Sequence, residues 1–251
     1  MERKVVNNDF YDDLGEKWYQ AYDHPIALLR AENQARAPWV AKKIADHFIN
    51  KNCAVIDIGC GGGFLSNTLA YQGHQVTGID LSEESLNVAR KHDTTCTVCY
   101  QNANAYSLPF SSSKFEIACA MDILEHVEEP IKVIAEASRV LKPGGLFFFH
   151  TFNRNWLSWL FALKGIEWFV QNAPSNIHLY RLFIKPSEIC HYLEKSCLNV
   201  SEILGLMPAM NKAFFKFLLL RRISPQFSFK IISSIKCGYM GYAIKNPNSS
   251  I

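Results

Sequence analysis

The sequence predicts a doubly wound α/β fold, in which helices cover both faces of a mostly parallel sheet. An apolar segment ends at Asp57 and turns through a glycine-rich loop, residues 59–63, into a segment with helical periodicity. A second strand-like segment ends in Asp80, about 20 residues beyond the glycines. Further strand-like segments alternate with helical ones up to residue 151. This alternation is typical of βαβ units that build a parallel sheet.

The glycine-rich loop predicts a ligand site at the end of the first strand. Glycine lets the backbone approach a ligand where a Cβ atom would collide, and the following helix points free N–H groups at that ligand. The dinucleotide-binding fingerprint requires a glycine three positions after its second glycine. Counted from Gly61, that position holds Phe64, so the fingerprint does not match. The motif that stands at residues 57–63 is D-x-G-x-G-x-G.

The second strand lies within residues 73–82 and ends in Asp80. In doubly wound folds, a carboxylate at this place accepts hydrogen bonds from both ribose hydroxyls of a nucleotide-type ligand. Ser82 follows, and its side chain predicts the start of the next helix. We therefore expect a ribose to bind across the ends of the first two strands.

Three further strands complete the expected series. A third strand over residues 96–101 runs into the loop 102–110, which ends in Leu-Pro-Phe. A fourth strand over residues 115–120 leads to the sequence D-I-L-E-H-V at residues 122–127. A helix and a Leu-Lys-Pro-Gly-Gly turn then precede a fifth strand over residues 146–151.

These ordered landmarks resemble the class I S-adenosylmethionine-dependent methyltransferases, whose motif I is the D-x-G-x-G-x-G loop. The resemblance implies S-adenosylmethionine as cofactor and a Rossmann-like sheet of seven strands. It also implies one methyltransferase domain over residues 1–251, with an N-terminal helical lid (1–50), a cofactor-binding core (51–153), an aromatic-rich insertion after the fifth strand (154–185) and a C-terminal part that completes the sheet and the substrate site (186–251). The residues that it assigns to cofactor binding are Arg36, Asp57, Gly59, Cys60, Gly61, Gly63, Asp80, Leu81, Asn102, Ala103 and Met121.

Three of these residues have particular expected roles. Asp57 lies beside the glycine loop, where its charge can counter the α-ammonium group of the cofactor. Met121 follows the fourth strand and is expected to pack on the adenosine or the sulfonium. Asn102 stands where the family commonly has an Asp that holds the adenine. An amide can still meet the adenine edge, but it lacks the two anionic oxygens of a carboxylate.

A closer resemblance covers roughly residues 28–206 and points to the ubiquinone-biosynthesis O-methyltransferases. It is carried by Arg36, the Leu-Glu-His-Val element at residues 124–127, the Asn153-Arg154 step and the Ile-Lys-Pro-Ser-Glu run at residues 184–188. That family methylates hydroxyls on polyprenylated catechol-type rings, and its Arg at the place of Arg36 contacts the cofactor carboxylate. The alternatives are methylation of another small-molecule or lipid acceptor, and a cofactor-binding domain without turnover. A nucleic-acid substrate is disfavoured, because the Asn/Asp-Pro-Pro-Tyr-like tetrad of nucleic-acid amino methylases is missing after the fourth strand.

Residues 122–127 contain the best catalytic candidates. Some members of this family bind a divalent ion, Mg²⁺ or Zn²⁺, through two carboxylates and an adjoining His, here Asp122, Glu125 and His126. Such an ion would lower the pKa of a phenol, near 10, and orient its oxygen toward the methyl group. Asp122 is one methylene shorter than the usual Glu, which weakens the expected metal site. The alternatives are that His126 is a metal-free general base or lines the pocket. His150 is a secondary base candidate.

Length and composition fit one soluble domain with a substantial core. The chain has 251 residues, of which 49% are hydrophobic and 20% charged. Its first residues lack the apolar stretch of a signal peptide, and no run approaches the roughly 20 apolar residues of a membrane span. We therefore expect a cytoplasmic protein. The eight cysteines are scattered, and the pair Cys96 and Cys99 has no second pair with which to form a zinc site.

The charge distribution predicts contact with an anionic membrane. Residues 1–153 carry 14 basic against 19 acidic residues, whereas residues 154–251 carry 12 against 4. Residues 155–172 are rich in Trp, and residues 213–222 join apolar bulk to cations. A membrane on the cytoplasmic side fits so many aliphatic residues better than nucleic acid does. The alternative is that both segments cover the pocket or pack on the sheet, since core helices show the same stripe. The sequence does not indicate an oligomeric state.

Overall fold

The protein is built around one eight-stranded sheet, seen in a computed structural model that describes residues 6–49, 51–174 and 176–247. Residues 1–5 and 50 of the predicted lid, residue 175 of the predicted insertion and residues 248–251 of the predicted C-terminal part lie outside the described residues. The strands are β1 (Ala54–Ile58), β2 (Gln75–Asp80), β3 (Cys99–Asn102), β4 (Phe115–Met121), β5 (Leu141–Phe152), β6 (Leu198–Pro208), β7 (Phe229–Ile232) and β8 (Gly238–Lys245).

The sheet has the order β3-β2-β1-β4-β5-β8-β6-β7. Strands β1 to β5 are parallel, and β8 is antiparallel to both β5 and β6. The chain winds from β1 outward to β3 and then returns to the other side of β1 with β4. This reversal leaves a crevice beyond the carboxyl ends of β1 and β4, which is where doubly wound sheets bind their ligands.

Helices connect the strands and cover both faces of the sheet, as the sequence predicts. They are α1 (Lys17–Gln20), α2 (Ile26–His47), α3 (Phe64–Tyr71), α4 (Glu83–Lys91), α5 (Pro130–Val140), α6 (Trp156–Ser158), α7 (Gly165–Phe169), α8 (Pro186–Lys195) and α9 (Lys212–Leu220). A π-helical turn, Trp159–Lys164, joins α6 to α7. The Ser82 hydroxyl accepts a hydrogen bond from the Ser85 amide at 3.1 Å, so Ser82 is the N-cap of α4 as expected.

Three details of the predicted sheet are corrected. The sheet has eight strands and not seven, because β7 pairs antiparallel with the outer edge of β6. Strand β3 begins at Cys99 and not at residue 96, since Asp93 holds the preceding segment in a turn through the amides of Thr95 and Val98. Strand β5 begins at Leu141, before the Gly-Gly pair, because Leu141 already pairs with Phe115.

The core lies on the two faces of the central strands. On β1, Ile56 and Ile58 point to the face covered by α5 and α8, whereas Val55 points to the face covered by α2 and α3. Phe147 and Phe148 on β5 divide between the two faces in the same way. Since successive strand side chains alternate between faces, a strand buried on both sides is apolar throughout.

Candidate functional site

A cavity of about 340 Å³ opens beyond the carboxyl ends of β1, β2 and β4. Its size suits a small organic ligand. The predicted site residues that line it are Arg36, Asp57, Gly59, Cys60, Gly61, Asp80, Leu81, Ala103, Met121, Asp122 and His126. Gly63, Asn102 and Glu125 are not among the lining residues. The fold therefore gathers most, but not all, of the residues that the sequence singled out.

The glycine loop requires glycine for packing as well as for ligand access. Gly59 and Gly61 have φ angles of +70° and +50°, a region that other residues rarely adopt. A Cβ atom on Gly61 would lie 2.5 Å from the Trp18 ring, which covers the loop. Gly63 begins α3 away from the cavity, and a Cβ there would lie 2.4 Å from the Tyr100 hydroxyl. Gly63 is thus needed for packing in this structure.

Asp80 ties the glycine loop to the end of β2. Its carboxylate accepts hydrogen bonds from the amides of Gly61 and Ser82, each at 2.9 Å. Burial raises the pKa of Asp80 despite these bonds. A carboxylate oxygen accepts more than one hydrogen bond, so Asp80 keeps acceptor capacity toward the cavity that it lines.

Asp57 lies buried at the end of β1, on the cavity wall. The Ser66 hydroxyl in α3 donates a 2.6 Å hydrogen bond to its carboxylate. Burial raises the pKa of Asp57 to about 6, because the charged form has left water and this hydrogen bond only partly compensates. A cationic group in the cavity would favour the charged form of Asp57.

The loop after β3 offers different residues from those expected. Asn102 does not face the cavity, because its side-chain amide donates to the Leu81 carbonyl at 2.7 Å. Ala103, Asn104 and Tyr106 line the cavity instead. Asn104 was not predicted, although a second Asn two positions after Asn102 in the same loop was the available signal.

Arg36, Asp122 and His150 form a charged network at the end of β4. Arg36 donates from both terminal nitrogens to the two carboxylate oxygens of Asp122, at 2.6 and 2.5 Å. His150 donates from Nδ1 to the same carboxylate at 2.5 Å. Asp122 has a φ of +65°, a strained conformation for a residue with a side chain. These contacts hold Asp122 in that conformation.

The ionisation states in this network follow from burial and pairing. Burial alone would raise the pKa of Asp122, but the charge of Arg36 and the bond from His150 hold it well below its usual range. Burial lowers the pKa of His150, more than Asp122 raises it, so the ring is neutral with its proton on Nδ1. Arg36 was expected to bind the cofactor carboxylate, yet its two-pronged fork is already used by Asp122. Its contact with the cofactor stays a prediction.

The predicted metal ligands Asp122, Glu125 and His126 do not come together as one group among the described residues. Glu125 and His126 approach His178 instead, with one potential ligand atom from each within 4.8 Å of the others. His178 comes from the predicted insertion and was not foreseen. Burial lowers the pKa of His126 to about 4 and that of His178 to about 3, so both imidazoles are neutral at pH 7.

Side chains from the N-terminal segment close the cavity on its outer side. Asn8, Tyr11, Trp18 and Leu29 all line it. Tyr11 contacts the His126 ring edge-on, with centroids 5.9 Å apart. The sequence indicated a lid in this region but did not single out these residues, because an aromatic side chain on a short helix carries no sign of its partner.

Comparison with known proteins agrees with this geometry. A family model described as a methyltransferase domain matches residues 56–149. The ubiquinone biosynthesis O-methyltransferase of Aromatoleum aromaticum is 36% identical over 199 residues, which cover 78% of this chain and 83% of that protein. The corresponding protein of Paraburkholderia phymatum is 37% identical over 199 residues, with 78% and 84% covered. The chain belongs to the ubiquinone biosynthesis O-methyltransferase family. It is therefore an S-adenosylmethionine-dependent methyltransferase, as its motif I predicts.

Solved structures support the fold. Magnesium protoporphyrin IX methyltransferase from Synechocystis, solved with bound S-adenosylhomocysteine, superposes with a TM-score of 0.59 at 17% identity, over 86% of this chain and 84% of that one. A methyltransferase from Thermotoga maritima superposes with a TM-score of 0.58 at 19% identity, over 92% and 94%. At such low identity the likeness concerns the fold alone, a mixed α/β sheet flanked by helices.

Proposed function

We propose that this family member transfers the methyl group of S-adenosylmethionine to a phenolic hydroxyl of a polyprenylated quinone precursor. The observation that carries the proposal is the continuity of one cavity. Asp57, Gly61 and Asp80 line one part of it, and Asp122 and His126 line another. A cofactor on the glycine loop and an acceptor beside His126 would therefore share one enclosed space.

The wall of the cavity offers the groups that such a transfer needs. Methyl transfer from a sulfonium is an in-line displacement, so the acceptor oxygen must be held opposite the sulfur and kept from water. Tyr11 and Trp18 line the cavity, and their aromatic rings would limit the access of water to a bound acceptor. Without a bound ion, neutral His126 can accept the phenolic proton, and the positive sulfonium next to the acceptor favours the phenolate.

A divalent ion beside the acceptor is the alternative to a His126 base. An ion would lower the pKa of the bound hydroxyl and orient its oxygen. Of the residues predicted to hold it, Glu125 and His126 have unused ligand atoms, whereas the Asp122 carboxylate is engaged by Arg36 and His150. The expected set of two carboxylates and one His therefore does not fit this chain without breaking the Arg36–Asp122 pair.

We also propose that the enzyme meets its lipid-tailed acceptor at an anionic membrane surface. The segment from α6 to α7 and helix α9 pack together through buried Val170 and Phe217. The outer side of this pair carries exposed large apolar side chains, namely Trp156, Trp159, Phe161, Trp168, Phe215, Leu219 and Leu220. Lys212, Lys216, Arg221 and Arg222 are exposed in the same region.

This surface, which we call the α6–α9 surface, supports membrane contact in two ways. Its inward residues already form a core of their own, so packing does not account for the outward ones. Exposed Trp and Phe side chains together with cations suit the interface of an anionic bilayer. Within the described residues, no helix has both the length and the apolar content needed to cross a membrane. Contact would therefore be peripheral.

Radiolabelled methyl transfer tests the proposed reaction. The purified protein is incubated with methyl-labelled S-adenosylmethionine and a panel of demethyl-quinone precursors, beside non-prenylated phenols and fatty acids. We expect label in the methyl ether of a prenylated ring. Protein carrying Asp80→Ala should give strongly reduced transfer at limiting cofactor. Transfer only to acceptors outside the prenylated panel, or binding of cofactor without any transfer, would contradict the proposal.

A further inference from the structure

We propose that Glu125, His126 and His178 form a site for one divalent ion of the zinc type, with His178 as the third ligand in place of Asp122. The catalytic role of this ion rests on the proposed function, because an ion held by His126 would lie beside the acceptor hydroxyl. The fold itself brings the donor atoms of this site together.

The three side chains converge from two separate parts of the chain. Glu125 and His126 belong to a 3₁₀ turn, Leu124–His126, that follows β4. His178 lies just before a second 3₁₀ turn, Tyr180–Leu182, within the predicted insertion. The two imidazole centroids are 5.1 Å apart. The potential ligand atoms lie within 4.8 Å of one another. In a tetrahedral site, ligand atoms that each lie about 2.0–2.2 Å from the zinc ion are about 3.4 Å from one another. Small side-chain rotations would close this difference.

Buried polar atoms at this place have no partner among the described residues. Glu125 is fully buried, and neither of its carboxylate oxygens accepts a hydrogen bond. The Nδ1 atoms of His126 and His178 are likewise buried without a partner. The Thr151 hydroxyl lies near Glu125 but is outside hydrogen-bonding geometry. A buried carboxylate without a partner is costly, and a cation would give a partner to the Glu125 carboxylate and to both imidazoles at once.

Asp122 is unsuited to the same ion because its carboxylate already accepts three hydrogen bonds from Arg36 and His150. Arg36 occupies one edge with two hydrogen bonds, and His150 adds a third. Glu32, Asp122 and His150 also approach one another closely. However, the guanidinium of Arg36 lies 3.8 Å from Glu32 and already supplies the positive charge there. Among the described residues, the cluster of Glu32, Asp122 and His150 therefore has a cationic partner, whereas the cluster of Glu125, His126 and His178 has none.

The donor set indicates the kind of ion. One carboxylate with two imidazoles is the set found in catalytic zinc sites and in facial-triad sites for iron, and it leaves coordination positions open. Mg²⁺ prefers oxygen ligands and retains water. We therefore expect Zn²⁺ or Co²⁺ to bind well and Mg²⁺ poorly, with an open position for an acceptor oxygen.

Metal counting with Zn²⁺ and Co²⁺ tests the site without reference to turnover. Chelator-treated full-length protein is dialysed against each ion, the bound metal is counted by mass spectrometry, and the Co²⁺ spectrum is recorded. We expect one ion per chain in the wild type and in Asp122→Asn. Affinity should fall by about 10- to 100-fold or more in His178→Ala, in His178→Gln and in Glu125→Gln. His191→Ala, which removes an exposed His from α8, is the matched control and should bind as the wild type does.

The possible results separate the site from its alternatives. Binding of S-adenosylhomocysteine by each variant shows that it is folded. The proposal is overturned if folded wild-type protein binds no ion, if the Co²⁺ spectrum shows the charge-transfer band of cysteine thiolate, or if Asp122→Asn loses the ion while His178→Ala keeps it. If the wild-type protein binds no ion but still methylates quinone precursors, the metal site is refuted and the proposed function stands. A protein that binds the ion but is inactive on those precursors would leave the metal site intact and overturn the proposed function.

Discussion

Asp80 illustrates how one side chain can shape a loop and also line a cavity. Its carboxylate holds the amides of Gly61 and Ser82, so it fixes both the glycine loop and the start of α4. It also lines the cavity at the place where the two ribose hydroxyls of the cofactor are expected. Cofactor binding should therefore depend strongly on this residue.

Replacing Asp80 with Ala should weaken binding of S-adenosylhomocysteine by about 3 kcal/mol, or roughly 100-fold, because two charge-assisted hydrogen bonds are lost. Titration calorimetry measures the change. Glu84→Ala, which removes an exposed acid from the first turn of α4, is the control and should bind normally. An unchanged dissociation constant in Asp80→Ala would refute the assignment of the ribose site.

Cofactor binding should also depend on pH through Asp57, whose pKa in the free protein is raised to about 6 by burial. The cofactor ammonium group favours the ionised carboxylate, so binding lowers this pKa. Affinity should therefore rise as the pH increases toward 6 and level off above it. Below pH 6 it should fall by up to about tenfold per pH unit.

Calorimetry with S-adenosylhomocysteine between pH 5 and 8 measures this dependence. Asp57→Asn removes the titrating group and serves as the control, with weaker binding that no longer changes near pH 6. If the wild type bound equally well at pH 5 and pH 7, Asp57 would not be the partner of the ammonium group.

At the scale of elements, the segment of residues 155–172 shows that an apolar stripe in the sequence does not decide between two structural roles. The apolar stripe of residues 155–172 fits both a core helix and a membrane helix. In the structure, the segment is α6, a π-helical turn and α7, with Val170 buried against Phe217 of α9. One side of this segment is therefore packed in the protein, whereas Trp156 on its other side is 68% exposed.

The α6–α9 surface should bind vesicles that contain anionic lipid, and binding should weaken with salt because cations contribute to it. Replacing both Trp156 and Trp159 with Ser should weaken binding further, since these side chains are exposed and suit the bilayer interface. Sedimentation with anionic and with neutral liposomes at low and high salt measures both effects.

Tyr71→Ser is the control for this experiment, because Tyr71 is 79% exposed at the end of α3, outside the α6–α9 surface. It should sediment as the wild type does. Wild-type protein that stays in the supernatant with anionic vesicles at low salt would rule out the membrane contact.

At the scale of the whole molecule, one sheet draws strands from both the predicted core and the predicted C-terminal part. Strand β8 lies between β5 and β6, and β1 to β5 carry the cavity at their ends. The antiparallel strands therefore extend the same sheet that builds the site. One domain over residues 1–251 stays a prediction.

The sequence by itself determined the fold class and most of the residues that line the cavity. Asp57, Gly61 and Asp80 could be placed because each lies at a strand end, and a parallel sheet brings those ends to one edge. Strand β3 was less predictable at its start, since the hydrogen bonds of Asp93 to following amides compete with the strand ladder there.

Only the tertiary structure decided the partners of the charged residues that follow β4. Asp122 pairs with Arg36, which is 86 positions away in the chain, and Glu125 approaches His178 from the insertion. Such pairings depend on where helices and loops pack on the sheet, and neither spacing nor periodicity encodes that information. The sequence could therefore specify which residues are candidates for the chemistry, whereas packing determined which of them lie together.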